Sequence, residues 1–310
     1  MTDCCIFDVV RGLALLVGLA AGSKSKISDL VFTTWIALGM FIFPDYVVGY
    51  QVSGKTDGLM IFFVRCTGAS QLAMTMFMYL TRDTRDETVK GAILWSRTLG
   101  TAPMLMIMIY GQVYKNKVFG HGNLWFFLPF FISIWIYNVY QMHTPPPAVG
   151  RREQKGFVSI LLRVYFLVIF VVGLQGLAFP NSIMFFMNTT PQFIHQHFVR
   201  VLCASDFSAI FLIWYAPSFL RDDDRKALFI SHLAAAGLGI LSLLAACFVD
   251  HAIEVSQMYW ILLFMTPVLI PAIGLGLILQ NERSKNAVFT TMTTPSHYIT
   301  RSISNQVKTE

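Results

Sequence analysis

The sequence contains little charge. Charged residues make up 13% of its 310 residues, against about 25% in an ordinary soluble domain, whereas 55% of the residues are hydrophobic. This composition excludes a water-soluble globular protein. Apolar segments of roughly 20 residues recur along the chain, and each is long enough to cross a hydrocarbon layer of about 30 Å. Because the alternating apolar and polar strands of a membrane barrel are also lacking, we predict an all-α, polytopic bundle of transmembrane helices.

Recognised catalytic signatures are lacking as well. The sequence contains no G-x-S-x-G, H-E-x-x-H, Walker or dinucleotide-binding pattern, so we expect neither an enzyme nor a cofactor. Three of the five cysteines lie in predicted spans, which does not fit a disulfide framework. The net charge of +6 comes from basic residues in loops between apolar segments. We therefore expect the lipid bilayer as a partner rather than nucleic acid, with a homo- or hetero-oligomer as an open alternative.

Eight segments are predicted to span the membrane as two groups of four. The expected divisions are a cytoplasmic segment (1–26), a first four-helix repeat (27–141), a Pro-rich basic linker (142–157), a second four-helix repeat (158–280) and a disordered tail (281–310). Within the first segment, the apolar run 12–22 is about 16 Å long as a helix, so we favour an interfacial helix over an additional span. The predicted spans are 30–43 (extending back towards 27), 58–80, 91–114, 124–141, 158–179, 198–220, 227–249 and 258–280.

One eight-residue pattern occurs twice. Segments 63–70 and 198–205 both read F-V-R-x-x-x-A-S. We call the shift that carries position 63 onto position 198 the repeat offset, and the same shift aligns Trp125 with Trp260. A rare residue that recurs at the same offset favours duplication over chance. Because each unit would hold an even number of spans, the two copies would enter the membrane in the same direction, as parallel repeats.

The basic residues predict the orientation. Sixteen of the 23 Lys and Arg residues lie in the N-terminal segment, three loops and the tail, which all fall on one side, and three lie in the opposite loops. By the positive-inside rule, both termini are cytoplasmic. The sequon at Asn188, a candidate glycosylation site, falls in an outer loop, in agreement. The sequence does not distinguish the plasma membrane from an endomembrane.

Charges inside the spans are the candidate intramembrane polar site, because such residues are costly in a membrane. Arg65 and Arg200 occupy the same place in the two copies of the repeated pattern. They are expected to reach the outer headgroups or cap the Phe-Pro end of the preceding span; the sharper alternative is a pair flanking a path for an anion. Asp206 and His232 are expected to be satisfied by polar groups of neighbouring helices, with proton-coupled movement as the alternative; Arg97, the counterpart of His232 by the repeat offset, completes the candidate site.

Other polar residues point more weakly to sites. His195 and His197 lie in a predicted outer loop, where they could share a metal only in an extended segment, so no metal site is expected. The acidic run 222–224 lies among basic residues and is predicted to be a solvated turn. Cys4 and Cys5, beside the predicted interfacial helix, are candidate palmitoylation sites.

Each half carries a pattern of Phe-Pro, then Arg, then a cytoplasmic hairpin before another span. In the first half this pattern is Phe43-Pro44 followed by Arg65-x-x-Gly68-Ala69. From the Phe-Pro pair to the following span, each half resembles the four-span membrane proteins of the tumour-suppressor-inducible family. The second half departs from the pattern, with Cys203 in place of Gly68. The resemblance implies a non-enzymatic membrane protein and assigns no site residue.

Two functions therefore stay open from the sequence. In the first, the interface between the repeats moves a small solute or ion past the intramembrane charges. In the second, the bundle is solid, and the protein acts as a scaffold or accessory subunit through protein partners.

Overall fold

The computed structural model describes residues 26–53, 55–114, 118–119, 128–143, 156–185, 187, 192–264 and 268–293, and within them the regular structure is helical. The predicted sites at Cys4, Cys5 and Asn188, the N-terminal segment up to residue 25 and most of the Pro-rich linker lie outside the described residues. The helices are α1 (Lys26–Ile42), α2 (Pro44–Gln51), α3 (Gly58–Leu80), α4 (Glu87–Tyr114), α5 (Leu128–His143), α6 (Phe157–Ala178), α7 (Pro180–Phe185), α8 (Phe193–Tyr215), α9 (Asp222–Phe248), α10 (Val255–Phe264) and α11 (Leu269–Thr293).

Five helices of the described chain are long and apolar enough to cross a membrane: α3, α4, α6, α8 with the 3₁₀ turn that follows it, and α9. Each has at least 22 residues, or about 33 Å at 1.5 Å per residue. The shorter α1 contains the apolar stretch Thr33–Ile42. The prediction of an all-helical membrane protein is confirmed at this level.

Prolines divide the helices at equivalent places in the two halves of the chain, which we define as residues 26–143 and 156–293. Helix α1 ends at Ile42, and Pro44 opens the short α2; α6 ends at Ala178, and Pro180 opens the short α7. Proline lacks the N–H that a continuing helix needs, but it fits the first turn of a new one. Each long helix therefore turns into a short one at its Phe-Pro end.

The two halves are interlocked. Helix α3 of the first half packs most closely against α1 and against α9 of the second half, whereas α8 packs against α6 and against α4. Helices α3 and α8 also contact each other at the centre. Each of the two hydrophobic core clusters accordingly combines residues from both halves. The long helices of one half serve as packing partners for the other.

Small residues allow the closest helix contacts. A Cβ atom added to Gly68 on α3 would lie 2.8 Å from the backbone nitrogen of Phe41 and 3.0 Å from the Cβ of Met40, both on α1. In the second half, Cys203 stands at the position of Gly68, and the glycine lies instead on the facing helix, where Gly176 contacts Cys203. When the two Phe-Pro pairs are aligned, Gly176 takes the position of Met40. The glycine of this contact is thus on α3 in the first half and on α6 in the second, and the larger residue is on the facing helix.

The C-terminal region differs from the prediction. The predicted last span 258–280 is divided between α10 and α11, and α11 continues to Thr293, so the expectation of a disordered tail is wrong for residues 281–293. An ion pair between Lys226 and Glu282 holds α11 beside the start of α9. The acidic run 222–224 is likewise not a solvated turn: it forms the first turn of α9, with Asp224 buried.

Candidate functional site

The two arginines of the repeated pattern bind protein groups. Arg65 on α3 forms an ion pair with Asp250, and both side chains are largely buried. Asp250 is brought there by the end of α9, where its N–H donates to the carbonyl of Ala245 (2.9 Å) and the next residue, His251, has a φ of +49°. Arg200 on α8 donates through Nε to the carbonyl of Leu177 (3.2 Å), in the last turn of α6 before the Phe-Pro break.

A second contact joins the halves at the same end of the bundle. Asp57 caps α3, its Oδ1 accepting from the N–H of Met60 (2.9 Å), while its Oδ2 lies 2.6 Å from Nε2 of His195 on α8. Partial burial acts to raise the pKa of the Asp57 carboxyl, but the hydrogen bonds with His195 and with backbone N–H groups outweigh it and lower the pKa. This contact ties the start of α3 to the start of α8.

At the centre of the bundle, two hydrogen bonds cross between α3 and α8. Ser70 donates to Oδ1 of Asp206 (2.7 Å), and Nε2 of Gln71 donates to Oγ of Ser205 (2.6 Å). The repeat offset relates Ser70 to Ser205 and Gln71 to Asp206, so each bond is the counterpart of the other. The last serine of the repeated pattern therefore holds the two halves together.

A small cleft with a mostly apolar wall lies beside these bonds, where α8 packs against the first half. We call it the Arg97 cleft; it has a volume of about 50 Å³, enough for a few water molecules or a small ion. Residues of α1, α3, α4, α5 and α8 line it. Its polar lining consists of Thr33, Gln71, Arg97, Thr101, Ser205 and Ser208.

The arginine of the cleft is held by residues from two neighbouring helices. Nη2 of Arg97 donates to Oγ1 of Thr33 on α1 (3.2 Å), and Nη1 contacts the sulfur of Met78 on α3 (3.4 Å). The helix that carries Arg97 approaches α8 very closely, because a Cβ atom added to Gly100 would overlap Ser208. The guanidinium is therefore positioned by the first half and faces a wall contributed by the second.

His232 occupies the position of Arg97 in the second half, and its surroundings differ. Its Nδ1 lies 2.8 Å from the carbonyl of Leu228, one turn earlier in α9, and the ring of Tyr165 stands edge-on to it at 5.5 Å. An aromatic side chain therefore lies beside His232. Asp206 bonds to Ser70, and His232 bonds to its own helix, so the two do not form the direct relay that proton-coupled movement through both would need.

The two other histidines do not share a ligand. The predicted outer loop around them is the first turn of α8, which sends His195 towards Asp57 and His197 towards the ring of Phe119, 4.5 Å away. Among the described residues, no group of three or more His, Cys, Asp or Glu side chains could hold a metal ion.

At the opposite end of the bundle, the 81–90 hairpin docks onto the second half. Thr84 donates to Oδ2 of Asp224 (3.0 Å), and the N–H of Leu220 donates to Oδ2 of Asp86 (2.7 Å). Arg225 donates to the carbonyl of Phe219 and to Asp222. These contacts join the two halves at this end of the bundle.

Several residues of these contacts escaped the sequence analysis. Gln71, Ser205 and Asp57 are uncharged or lie outside the spans, so the search for intramembrane charge passed over them. The repeat offset relates Gln71 to Asp206, but it could not show that each bonds to a serine of the other half. Asp250 fell in an outer loop, with no local feature to connect it to Arg65.

A family model described as "Domain of unknown function (DUF8292)" matches residues 27–276. The chain matches no curated protein and no solved structure.

Proposed function

The chain belongs to the DUF8292 family, and we propose that it is a non-enzymatic, multi-pass membrane protein that moves small anions through the Arg97 cleft. The observation that carries the proposal is the chemistry of the cleft wall. A buried arginine, an amide and several hydroxyls face a space of about 50 Å³ inside an apolar bundle. Charged side chains within a membrane bundle commonly mark paths for ions, and the fork of donors of a guanidinium suits small anions such as carboxylates.

The same proposal includes the topology. Eight spans, built as two parallel four-helix repeats with both termini cytoplasmic, agree with the equivalent Phe-Pro breaks and with the paired contacts of α3 with α9 and of α8 with α4. The paired bonds at Ser70 and Ser205 support the same duplication. A tag inserted at residue 188 should be accessible from outside the membrane. Accessibility from the cytoplasmic side alone would contradict this topology.

The other intramembrane arginines are less suited to a path. Arg65 is neutralised by Asp250, and Arg200 is engaged with the end of α6. An anion that replaced Asp250 beside Arg65 would have to break a largely buried ion pair, which is costly. The proposed path therefore follows Arg97, at the place where α8 of the second half meets the first half.

Reconstituted protein tests the proposal. Proteoliposomes containing the full-length chain should take up chloride, nitrate or formate faster than protein-free liposomes, as measured with an entrapped anion-sensitive dye. Arg97→Gln removes the charge but keeps hydrogen-bonding groups, and we expect it to lower the rate at least tenfold. Since tenfold corresponds to about 1.4 kcal/mol, this is the loss expected from one ionic contact.

The matched control is Arg163→Gln. Arg163 is also an arginine in a span, but it lies on the exposed side of α6, with its guanidinium 5.9 Å from the ring of Trp214. This variant should transport within twofold of the wild type. Equal rates for the wild type and Arg97→Gln, or wild-type rates no higher than those of empty liposomes, would contradict anion movement.

A scaffold or accessory subunit is the second candidate, favoured by the outward face of α6. This helix is the most apolar of the five, and only 17% of an apolar 18-residue stretch within it is buried inside the chain. Its exposed residues recur at alternating spacings of four and three, which suits a contact with another helix: Ile160, Val164, Leu167, Val171 and Leu174. Under this proposal, the partner that can be measured directly is a second copy of the chain. Photobleaching of single labelled molecules in lipid nanodiscs should then show pairs, and single molecules throughout would contradict a homo-oligomeric scaffold.

A further inference from the structure

Asp206 is an acidic side chain in the middle of α8, packed among apolar and weakly polar groups. Its one hydrogen bond recorded among the described residues is the bond accepted from Ser70, and no ion pair involves it there. A carboxylate in a membrane interior normally pairs with a cation or marks a path for protons or ions. Its neighbour in sequence, Ser205, lines the Arg97 cleft, and so does Gln71, which follows its hydrogen-bond partner Ser70.

Among the described residues, no cation pairs with Asp206, and the arginine of α4, Arg97, lines the neighbouring cleft. Its electrostatic neighbours are Cys66 from α3, Tyr165 from α6 and Cys203 from its own helix. Helix α4 meets this part of α8 through Ser96 and Gly100, helix α7 carries no titratable residue, and Arg65, one residue before Cys66, is paired with Asp250. The titratable group of α9 that packs against Tyr165 is His232, which bonds to its own helix.

The counterpart position shows which form of the carboxyl fits this contact. Gln71 donates a hydrogen to Ser205, whereas Asp206 accepts one from Ser70. A protonated Asp206 could donate to Ser70 as the amide of Gln71 donates to Ser205, and the released Ser70 hydroxyl could turn to the carbonyl one turn earlier in its own helix, as helical serines commonly do. Both protonation states therefore keep the contact between α3 and α8.

We propose that Asp206 is a proton-binding site that controls anion binding in the Arg97 cleft. Uptake of one proton forms an O–H bond on the carboxyl and removes a negative charge beside Ser205, which strengthens the attraction of the cleft for an anion. By linkage, a bound anion favours protonation by the same factor. This inference rests on the proposed movement of anions and makes that movement a joint passage of an anion and a proton, without net charge.

Infrared spectroscopy measures the proton directly. Difference spectra of the full-length protein in lipid, recorded between acidic and neutral pH, should contain a carbonyl band of a protonated carboxyl that is shielded from water. Asp206→Asn should remove this band. Asp45→Asn should retain it, because Asp45 is an exposed carboxyl in the first turn of α2. Persistence of the band in Asp206→Asn would overturn the proton site.

Anion binding measures the coupling. The affinity of wild-type protein for nitrate, measured by titration calorimetry, should rise about tenfold between neutral and acidic pH, within the usual range of coupling between two sites. Asp206→Asn reproduces the shape of the protonated form, so it should fold and bind nitrate tightly at both pH values. An affinity that does not change with pH in the wild type would overturn the control by Asp206.

The same measurements distinguish a failure of the proposed anion movement from a failure of its control by Asp206. If wild-type protein bound no nitrate, chloride or formate at any pH, anion movement and its control by a proton would both be wrong, whatever the infrared result. If anions bound and Arg97→Gln abolished binding, while Asp206→Asn kept the full pH dependence, the Arg97 cleft would stand and the inference about Asp206 would fall.

Discussion

The two halves of the chain share their framework and differ in what they enclose. Each half has a long helix ending at Phe-Pro, a following short helix, and a helix with the repeated pattern that packs against the other half. In the first half, Arg97 lines a small cleft, whereas the equivalent His232 bonds to the carbonyl of Leu228 and stands edge-on to the ring of Tyr165. The two halves thus share the helices that pack them together and differ in the surroundings of this position.

The last helix of each half explains part of the difference. In the first half, α5 packs against α4, with the indole of Trp135 donating to the carbonyl of Thr98 (3.0 Å), and the Arg97 cleft lies between α5 and α1. In the second half, α11 packs against both α9 and α6. A helix that contacts both neighbours closes the space between them. A cleft can therefore lie in one half without disturbing the core to which both halves contribute.

The largest expected difference between the halves concerns the paired arginines. Arg65→Ala leaves the carboxylate of Asp250 without its cation in a largely buried position, which should destabilise the protein by about 3 kcal/mol or more. Arg200→Ala removes a hydrogen bond to a carbonyl and should cost about 1–2 kcal/mol. Unfolding of the two variants in mixed micelles, followed by helical circular dichroism, measures both values.

The sequence explains why the two arginines differ. The repeat offset places Lys115 at the position of Asp250, and a cation there cannot neutralise Arg200. The double variant Arg65→Ala/Asp250→Ala should recover part of the loss of Arg65→Ala, because no charge is then left without its partner. If Arg65→Ala and Arg200→Ala were equally stable, the ion pair of Arg65 would stabilise the protein no more than the hydrogen bond of Arg200 to a carbonyl.

The exchanged glycine contact provides the next prediction. Gly68→Cys puts the residue of the second half into the first, where it would collide with α1, and should cost about 1–3 kcal/mol, as overpacked cores do. Adding Met40→Gly recreates the combination of Cys203 with Gly176 and removes the contact with the Cβ of Met40, but not those with the backbone of α1, so the double variant should recover only part of the packing loss. Gly237→Ala is the control, since an added Cβ at that position meets nothing within 4 Å. Failure of Met40→Gly to rescue Gly68→Cys would show that the two contacts are not equivalent.

The sequence predicted α1, α3 and α6 closely, but it did not predict the start of α8 in an expected loop or the division between α10 and α11. Apolar length and the Phe-Pro pairs are local features, so the starts and ends of α1, α3 and α6 follow from a few residues each. The partners of the helices were not predictable, because the pairing of α3 with α9 and of α4 with α8 depends on side chains that are far apart in the chain. For the same reason, the sequence identified Arg97 and Asp206 as unusual but could not connect Arg97 with Thr33 or Asp206 with Ser70.

The smallest expected effect concerns the helix caps, where the halves also differ. Asp57 caps α3 and contacts His195, whereas the equivalent Gln192 makes no side-chain cap on α8. Because the pKa of Asp57 is lowered in the folded protein, its contribution is present above the unfolded value of about 3.9 and is lost as the pH falls through the folded value. Asp57→Asn keeps the cap and removes the charge, so near pH 6 it should be less stable than the wild type by less than about 1 kcal/mol, since the side chain is partly exposed. The stabilities of the two proteins should converge once the pH has fallen below the folded pKa of Asp57. A difference that persisted there would mean that the shape of the contact, rather than its charge, joins α3 to α8.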